Sequence, residues 1–144
     1  MPWYSCAKNL IVRNIMTLIL ICLLIATVMP ILAKGPLAFA QNKQQGGYDN
    51  RHPRAQQNAL VGFGARAKAA HENCFEALIM FTPGALAVIA LNQVGPIAQY
   101  LCLAFIVARI AYLFCYWFDY NLLRSTCWGV GFLCSIGLIG LTLY

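Results

Sequence analysis

Four apolar segments of nearly membrane-spanning length dominate this sequence. They cover residues 15–33, 74–91, 96–118 and 127–144. About 20 residues of α-helix are needed to cross ~30 Å of hydrocarbon. Because 61% of the residues are hydrophobic and the mean hydropathy is +0.68, one small soluble core could not bury them all. The sequence therefore predicts an all-α membrane protein, a bundle of four transmembrane helices.

We predict a single domain over residues 1–144. Its helices are expected to extend past the apolar segments, because residues 55–70 are rich in alanine and glutamine and are interrupted only by Gly62 and Gly64. The predicted spans cover residues 10–33, 58–91, 96–118 and 124–144, with a loop at 34–57. Thr82-Pro83-Gly84 interrupts the second span, which is predicted to be kinked, since neighbouring helices can compensate for a proline in a membrane.

A signal peptide is the alternative interpretation of the first segment. Lys8 and Arg13 precede the apolar stretch, and Ala38-Phe39-Ala40 resembles a small-residue cleavage site. That site, however, lies well beyond the apolar core, with Lys34 and Pro36 between them. We therefore favour a retained membrane span.

The distribution of positive charge predicts the orientation in the membrane. Six of the ten lysines and arginines lie between the first two apolar segments, residues 15–33 and 74–91, namely Lys34, Lys43, Arg51, Arg54, Arg66 and Lys68. The turn at residues 92–95 has none. The positive-inside rule then makes the long connection cytoplasmic and both termini non-cytoplasmic. We expect a multi-pass protein of the bacterial inner membrane, or of the endoplasmic reticulum if the source is eukaryotic.

Composition also argues against two classes of function. The net charge of +6 does not indicate nucleic-acid binding, because no basic stripe with interleaved aromatic residues accompanies it, and lipid phosphate is the expected counterpart. The seven cysteines are scattered without a CxxC pair. We therefore predict neither a disulfide framework nor a metal site.

Two charged residues lie inside apolar segments, Glu76 in the second and Arg109 in the third. Charged side chains in a membrane normally pair with one another or face a cavity, so we predict an ion pair between them. Arg66 is grouped with this pair as a structural residue, roughly 15 Å from Glu76 along the helix. Tyr112 and Tyr116 follow Arg109 on one helical face. The group either fixes helix register or lines a ligand site.

These residues form three motifs. The second span carries R-x-x-x-A-H-x-N-x-x-E from Arg66 to Glu76, the third carries R-x-x-Y-x-x-x-Y from Arg109 to Tyr116, and Arg124-Ser125 opens the fourth. The combination closely resembles the MAPEG family, the membrane-associated proteins in eicosanoid and glutathione metabolism. The chain looks like a bacterial-type member similar to the microsomal glutathione transferases.

The resemblance implies a homotrimer with glutathione bound at each subunit interface. Arg124 would be catalytic by stabilising the glutathione thiolate, because a nearby cation lowers the pKa of a thiol, and Ser125 would help to orient that thiol. The resemblance also implies a set of glutathione contacts: His71, Asn73, Glu76, Arg109, Tyr112 and Tyr116.

The chain departs from the family pattern at two positions. Well-studied eukaryotic members have an arginine where this chain has Ala69, and Glu72 adds a carboxylate beside His71. Glutathione carries two carboxylates, so both changes should weaken its recognition. Lys68, Arg51 or Arg54 could supply the missing positive charge from another direction.

The leading hypothesis is a glutathione-dependent membrane enzyme. It would conjugate glutathione, its co-substrate, to lipophilic electrophiles or reduce lipid hydroperoxides, with the hydrophobic acceptor arriving from the bilayer and without a metal. The alternative is a non-catalytic trimeric membrane protein that binds a lipid head group or another anion at the subunit interface. A transporter or channel is disfavoured, because four spans with one buried ion pair give no continuous polar path.

Overall fold

Five α-helices make up the structure, a computed structural model that describes residues 2–143, with side chains from residue 10 onward. The helices are α1 Pro2–Asn42, α2 Pro53–Asn58, α3 Phe63–Ala90, α4 Pro96–Trp117 and α5 Asn121–Gly140. No strand occurs in this range, and the all-α prediction is confirmed there. The predicted end of the last span at Tyr144, and the side chains of Cys6 and Lys8, lie outside what is described.

Four of the helices are long and apolar enough to cross a membrane: α1 from Leu10 onward, α3, α4 and α5. They correspond to the four predicted spans. Pro96 stands in the first turn of α4, where the missing amide hydrogen costs nothing and the fixed φ favours the helix. Pro83 lies within α3, which continues through it as one helix. Thr82 donates its hydroxyl to the Leu78 carbonyl at 2.7 Å in this part of α3.

The first helix extends nine residues further than predicted, to Asn42 instead of residue 33. The predicted loop at 34–57 is therefore wrong at its beginning. The buried residues of α1 continue at four-residue spacing through Ala33, Leu37 and Gln41, which keeps one face of the helix against the rest of the protein. Pro36 lies inside the helix, and the packing of Leu37 against Ala67 of α3 and nearby Leu60 outweighs its helix-breaking tendency.

The rest of that connection folds around one glutamine side chain. Gln56 of α2 accepts hydrogen bonds from the Gln41 side chain at 3.0 Å and the Asp49 amide at 3.1 Å. It donates to the carbonyls of Gln41 at 3.2 Å and Gly47 at 2.7 Å. The buried Gln57 also donates to the Gln41 side chain at 3.3 Å. The connection is thus an ordered cap on α1.

A ring stack and a close backbone approach hold α3 against α4 and α5. Phe81 of α3 and Phe105 of α4 stack with ring centroids 4.0 Å apart. A Cβ atom on Gly84 would lie 2.9 Å from Leu138 Cβ and 3.0 Å from the Ser135 carbonyl oxygen, so α3 and α5 touch where a larger residue would not fit. This tight contact fixes α3 relative to α5. The polar residues described below lie nearer the other ends of these helices.

Candidate functional site

A buried arginine lies at the centre of the polar residues. The Arg109 side chain is 2% exposed. One of its terminal nitrogens donates hydrogen bonds to the Asn73 side-chain oxygen at 2.7 Å and to the Asn73 carbonyl at 3.3 Å. Its guanidinium carbon lies 4.2 Å from the Tyr112 ring centroid. A glycine at 131 lets α5 pass close by, since a Cβ there would lie 3.3 Å from Arg109 Cδ.

Arg109 and Glu76 do not form the direct ion pair that the sequence predicted. Within the described residues, the ion pairs are Arg66–Asp119 and Lys68–Glu72. Asn73 stands between the two charges instead, because its amide accepts from Arg109 and donates to the Glu76 carboxylate one helical turn away. Glu76 itself is exposed on the single chain. The structure therefore connects the two charges through a neutral amide.

Arg66, which we grouped with Glu76 and Arg109 from the sequence, has a partner outside that group. Its terminal nitrogen lies 3.4 Å from the carboxylate of Asp119, which is in the turn between α4 and α5. Arg66 belongs to the first turn of α3, whereas Asn73 and Glu76 lie further along that helix. Arg66 therefore pairs with Asp119 and takes no part in the contacts that connect Arg109 to Glu76.

Aromatic rings connect the buried arginine to the start of α5. Tyr112 is buried and contacts the Tyr116 ring edge-on, with centroids 5.5 Å apart. The Arg124 guanidinium carbon lies 4.5 Å from the Tyr116 ring centroid, close enough for a cation–π interaction. The order of contacts is thus Glu76, Asn73, Arg109, Tyr112, Tyr116, Arg124. These six predicted site residues form one continuous row.

Ser125 and His71 are outside this row. The Ser125 hydroxyl is exposed and donates to the Asn121 carbonyl of its own helix at 3.1 Å. His71 is buried on another side of α3, with its Nδ1 2.8 Å from the Pro30 carbonyl of α1. Since a carbonyl only accepts hydrogen bonds, Nδ1 carries the hydrogen. His71 therefore joins α1 to α3, away from the Arg109 contacts.

The carboxylate of Glu72 is occupied by a neighbour. Lys68 Nζ lies 2.7 Å from Glu72 Oε1, one turn earlier on α3. This pairing reduces the repulsion that Glu72 would exert on an anionic ligand, and it also engages Lys68, one of the three candidates for replacing the missing arginine at Ala69. Arg54 lies 3.5 Å from the Gln57 side-chain oxygen, and Arg51 is exposed.

The cavities of the single chain are small or open. A cavity of about 10 Å³ adjoins Arg109, room for roughly one water molecule. An apolar groove of about 310 Å³ runs between α4 and α5 and is lined mainly by small side chains, among them Ala108, Ala111 and Cys127. Neither encloses a tripeptide.

Sequence reasoning missed the structural contacts of two residues, Asp119 and Gln56. Asp119 follows an aromatic run and precedes Tyr120 and Asn121, and nothing in that spacing points to Arg66. The backbone of Asp119 is left-handed, with φ 66°. The one available signal was that an aspartate stands at the turn where α4 ends. Gln56 lies where the predicted loop at 34–57 overlaps the alanine- and glutamine-rich stretch 55–70, and its four hydrogen bonds depend on where α1 ends.

The comparisons with known proteins gave one match. The family model described as "MAPEG family" matches residues 18–144, which include most of α1 and all of the other four helices. No curated protein and no solved structure matched the chain.

Proposed function

We propose that this protein, which belongs to the MAPEG family and is an integral, multi-pass membrane protein, binds glutathione. We propose further that it uses glutathione in a membrane enzyme reaction. The observation that carries the proposal is the continuous row from Glu76 to Arg124. It offers a carboxylate at one end, for an ammonium group, and a guanidinium at the other, for a thiolate. Glutathione carries both groups.

Arg124 is the residue in the row best suited to a thiolate. Its side chain is half-buried and its charge is held over the Tyr116 ring. Within the described residues no carboxylate lies within ion-pair distance of it. An uncompensated guanidinium stabilises the anionic form of a nearby thiol, and the thiolate is the nucleophile. Arg109, by contrast, is engaged by Asn73.

The proposed chemistry follows from the thiolate and from the apolar surroundings. In conjugation, the glutathione sulfur forms a bond to a carbon of a lipophilic electrophile, which loses a leaving group or gains a proton. In peroxide reduction, two glutathione molecules give a disulfide while the hydroperoxide becomes an alcohol and water. The acceptor would enter from the bilayer, for instance along the apolar groove beside Cys127.

We also propose that the protein works as a homotrimer, as the family resemblance implies. Glu76 is exposed on the single chain although it belongs to a helix able to span a membrane. A carboxylate facing lipid is costly, so a second copy of the chain, with glutathione between the two, accounts for this position. Multi-angle light scattering in detergent would test the assembly.

The deciding experiment is titration calorimetry of glutathione with the detergent-solubilised protein, combined with the ultraviolet absorbance of the thiolate. We expect binding with a thiolate signal in the wild type and loss of that signal in Arg124→Ala, with the assembly unchanged. Arg13→Ala, which removes an exposed arginine of α1, is the matched control. Absence of glutathione binding, or an undiminished thiolate signal in Arg124→Ala, would contradict the proposal.

A further inference from the structure

The turn between α4 and α5 has a residue whose conformation normally favours glycine. Asp119 has a φ of 66°. Its amide donates to the Tyr116 carbonyl at 3.3 Å, and the Tyr120 amide donates to the Cys115 carbonyl at 2.8 Å. These two bonds define a Schellman helix end, whose left-handed position is most often glycine. The local backbone therefore favours glycine and merely tolerates aspartate, so the aspartate here needs a further reason.

The Asp119 side chain provides that reason. Its carboxylate lies 3.4 Å from a terminal nitrogen of Arg66, in the first turn of α3. The Arg66 Nε is buried and has no hydrogen-bond partner in the part of the chain that the structure describes. Asp119 is thus the carboxylate that pairs with this guanidinium among the described residues. The ion pair joins the beginning of α3 to the α4–α5 turn.

The turn also determines where Arg124 lies. The Arg124 amide donates to the carbonyl of Tyr120, the residue after Asp119, at 2.9 Å. The Arg124 side chain rests on Tyr116, which precedes the turn. A movement of Asp119 would therefore shift both residues that define this end of the row. The other end is on α3, where Asn73 lies seven residues, roughly 10 Å, beyond Arg66.

We propose that Arg66 and Asp119 are positioning residues, whose ion pair holds the α4–α5 turn against α3 and so keeps Arg124 at a fixed distance from Asn73 and Glu76. Neither residue needs to contact glutathione for this role. The proposal rests on the proposed function in one respect, namely that Arg124 is the residue that stabilises the thiolate.

Asp119→Gly tests the role without distorting the turn. Glycine adopts the left-handed conformation readily, so the variant removes the carboxylate and keeps the backbone. We expect the pKa of the bound glutathione thiol to rise by about one unit, a tenfold change in its ionisation equilibrium. The matched control is Asn92→Gly, because Asn92 also has a positive φ, 57°, at the α3–α4 turn but takes no part in an ion pair. Arg66→Lys, which retains the charge, should give a smaller shift than Arg66→Ala.

Hydrogen exchange in the absence of glutathione gives a readout that does not depend on the proposed function. We expect the amides of residues 122–124 to exchange faster in Asp119→Gly than in the wild type or in Asn92→Gly. If only local hydrogen bonds held the turn, these amides would exchange at the same rate or more slowly in Asp119→Gly, because glycine relieves the backbone strain. If the wild type forms no thiolate, the proposed function fails, and the exchange data alone decide the positioning role. Unchanged exchange in Asp119→Gly would overturn it.

Discussion

Asn73 accepts a 2.7 Å hydrogen bond from the buried Arg109 across the contact between α3 and α4. The same side chain donates to Glu76. A cation removed from water is costly unless it is hydrogen-bonded, and the acceptors that Asn73 offers to Arg109 are a neutral amide oxygen and a backbone carbonyl. The stability of this helix pair and the orientation of Glu76 thus depend on one asparagine.

Replacing Asn73 by alanine should therefore destabilise the protein. The substitution removes a side-chain acceptor from a buried donor, for which we expect a loss of about 1–3 kcal/mol. Glutathione binding should weaken as well, because Glu76 loses the amide that orients it. Thermal unfolding in detergent measures the first effect and calorimetry the second. Asn58→Ala, at the exposed end of α2, is the control, and an unfolding midpoint no lower than that of the control would contradict the prediction.

The sequence predicted the helical fold well because hydropathy directly reports membrane spans. It placed α4 within one residue at its C-terminal end, since Pro96 and the polar turn at 119–121 delimit it. The end of α1 was not predictable in this way. Lys34 and Pro36 look like the end of a span, yet the helix continues because Leu37 packs against Leu60 and Ala67 and the buried Gln41 hydrogen-bonds to residues 53–57.

The candidate site was predictable as a set of residues but not as a set of contacts. The resemblance of the motifs to the family pattern pointed to Asn73, Arg109 and Tyr116, which lie in one row in the structure. Charge complementarity alone suggested that Arg109 would meet Glu76. Charge complementarity could not show that the Asn73 amide lies between Arg109 and Glu76, because that arrangement depends on the separation of α3 and α4.

Gly84→Ala should destabilise the contact between α3 and α5. The new Cβ would approach a backbone carbonyl of Ser135 to 3.0 Å, and a backbone atom cannot move aside without moving its helix. We expect a cost of about 1–3 kcal/mol from overpacking, measured as a lower unfolding midpoint. Gly35→Ala is the control, since no atom lies within 4 Å of a Cβ there. Equal midpoints for the two variants would show that α3 and α5 can separate freely.

Gln56→Ala should disorder the connection between α1 and α2. It removes four hydrogen bonds, including those to the Gln41 and Gly47 carbonyls. Trypsin should then cleave faster at Lys43 and Arg51, while the spanning helices remain protected. Gln45→Ala, at an exposed position, should cleave at the wild-type rate. Unchanged cleavage of Gln56→Ala would mean that the connection is held by other contacts.

Acid should loosen the same connection through Asp49. The amides of His52 and Arg51 donate to its carboxylate at 3.0 and 2.7 Å, and these bonds hold its pKa below the usual range. Because the folded pKa is lower than the unfolded one of ~3.9, the ionised group stabilises the connection above that pH. The contribution is lost as the pH falls through the folded pKa. Amide exchange at residues 51 and 52, normalised to the intrinsic rate, should accelerate below about pH 4 in the wild type and less so in Asp49→Asn.

Two substitutions of Tyr116 separate its ring from its hydroxyl. Phenylalanine keeps the aromatic face 4.5 Å from the Arg124 guanidinium, whereas leucine removes it and with it about 0.5–2 kcal/mol of cation–π attraction. If the ring is what holds Arg124 in place, Tyr116→Leu should raise the pKa of the bound glutathione thiol by up to about one unit, and Tyr116→Phe should leave it near the wild-type value. The ultraviolet thiolate absorbance as a function of pH measures both. Equal shifts in the two variants would instead assign the effect to the hydroxyl, and would mean that Arg124 does not depend on the ring for its position.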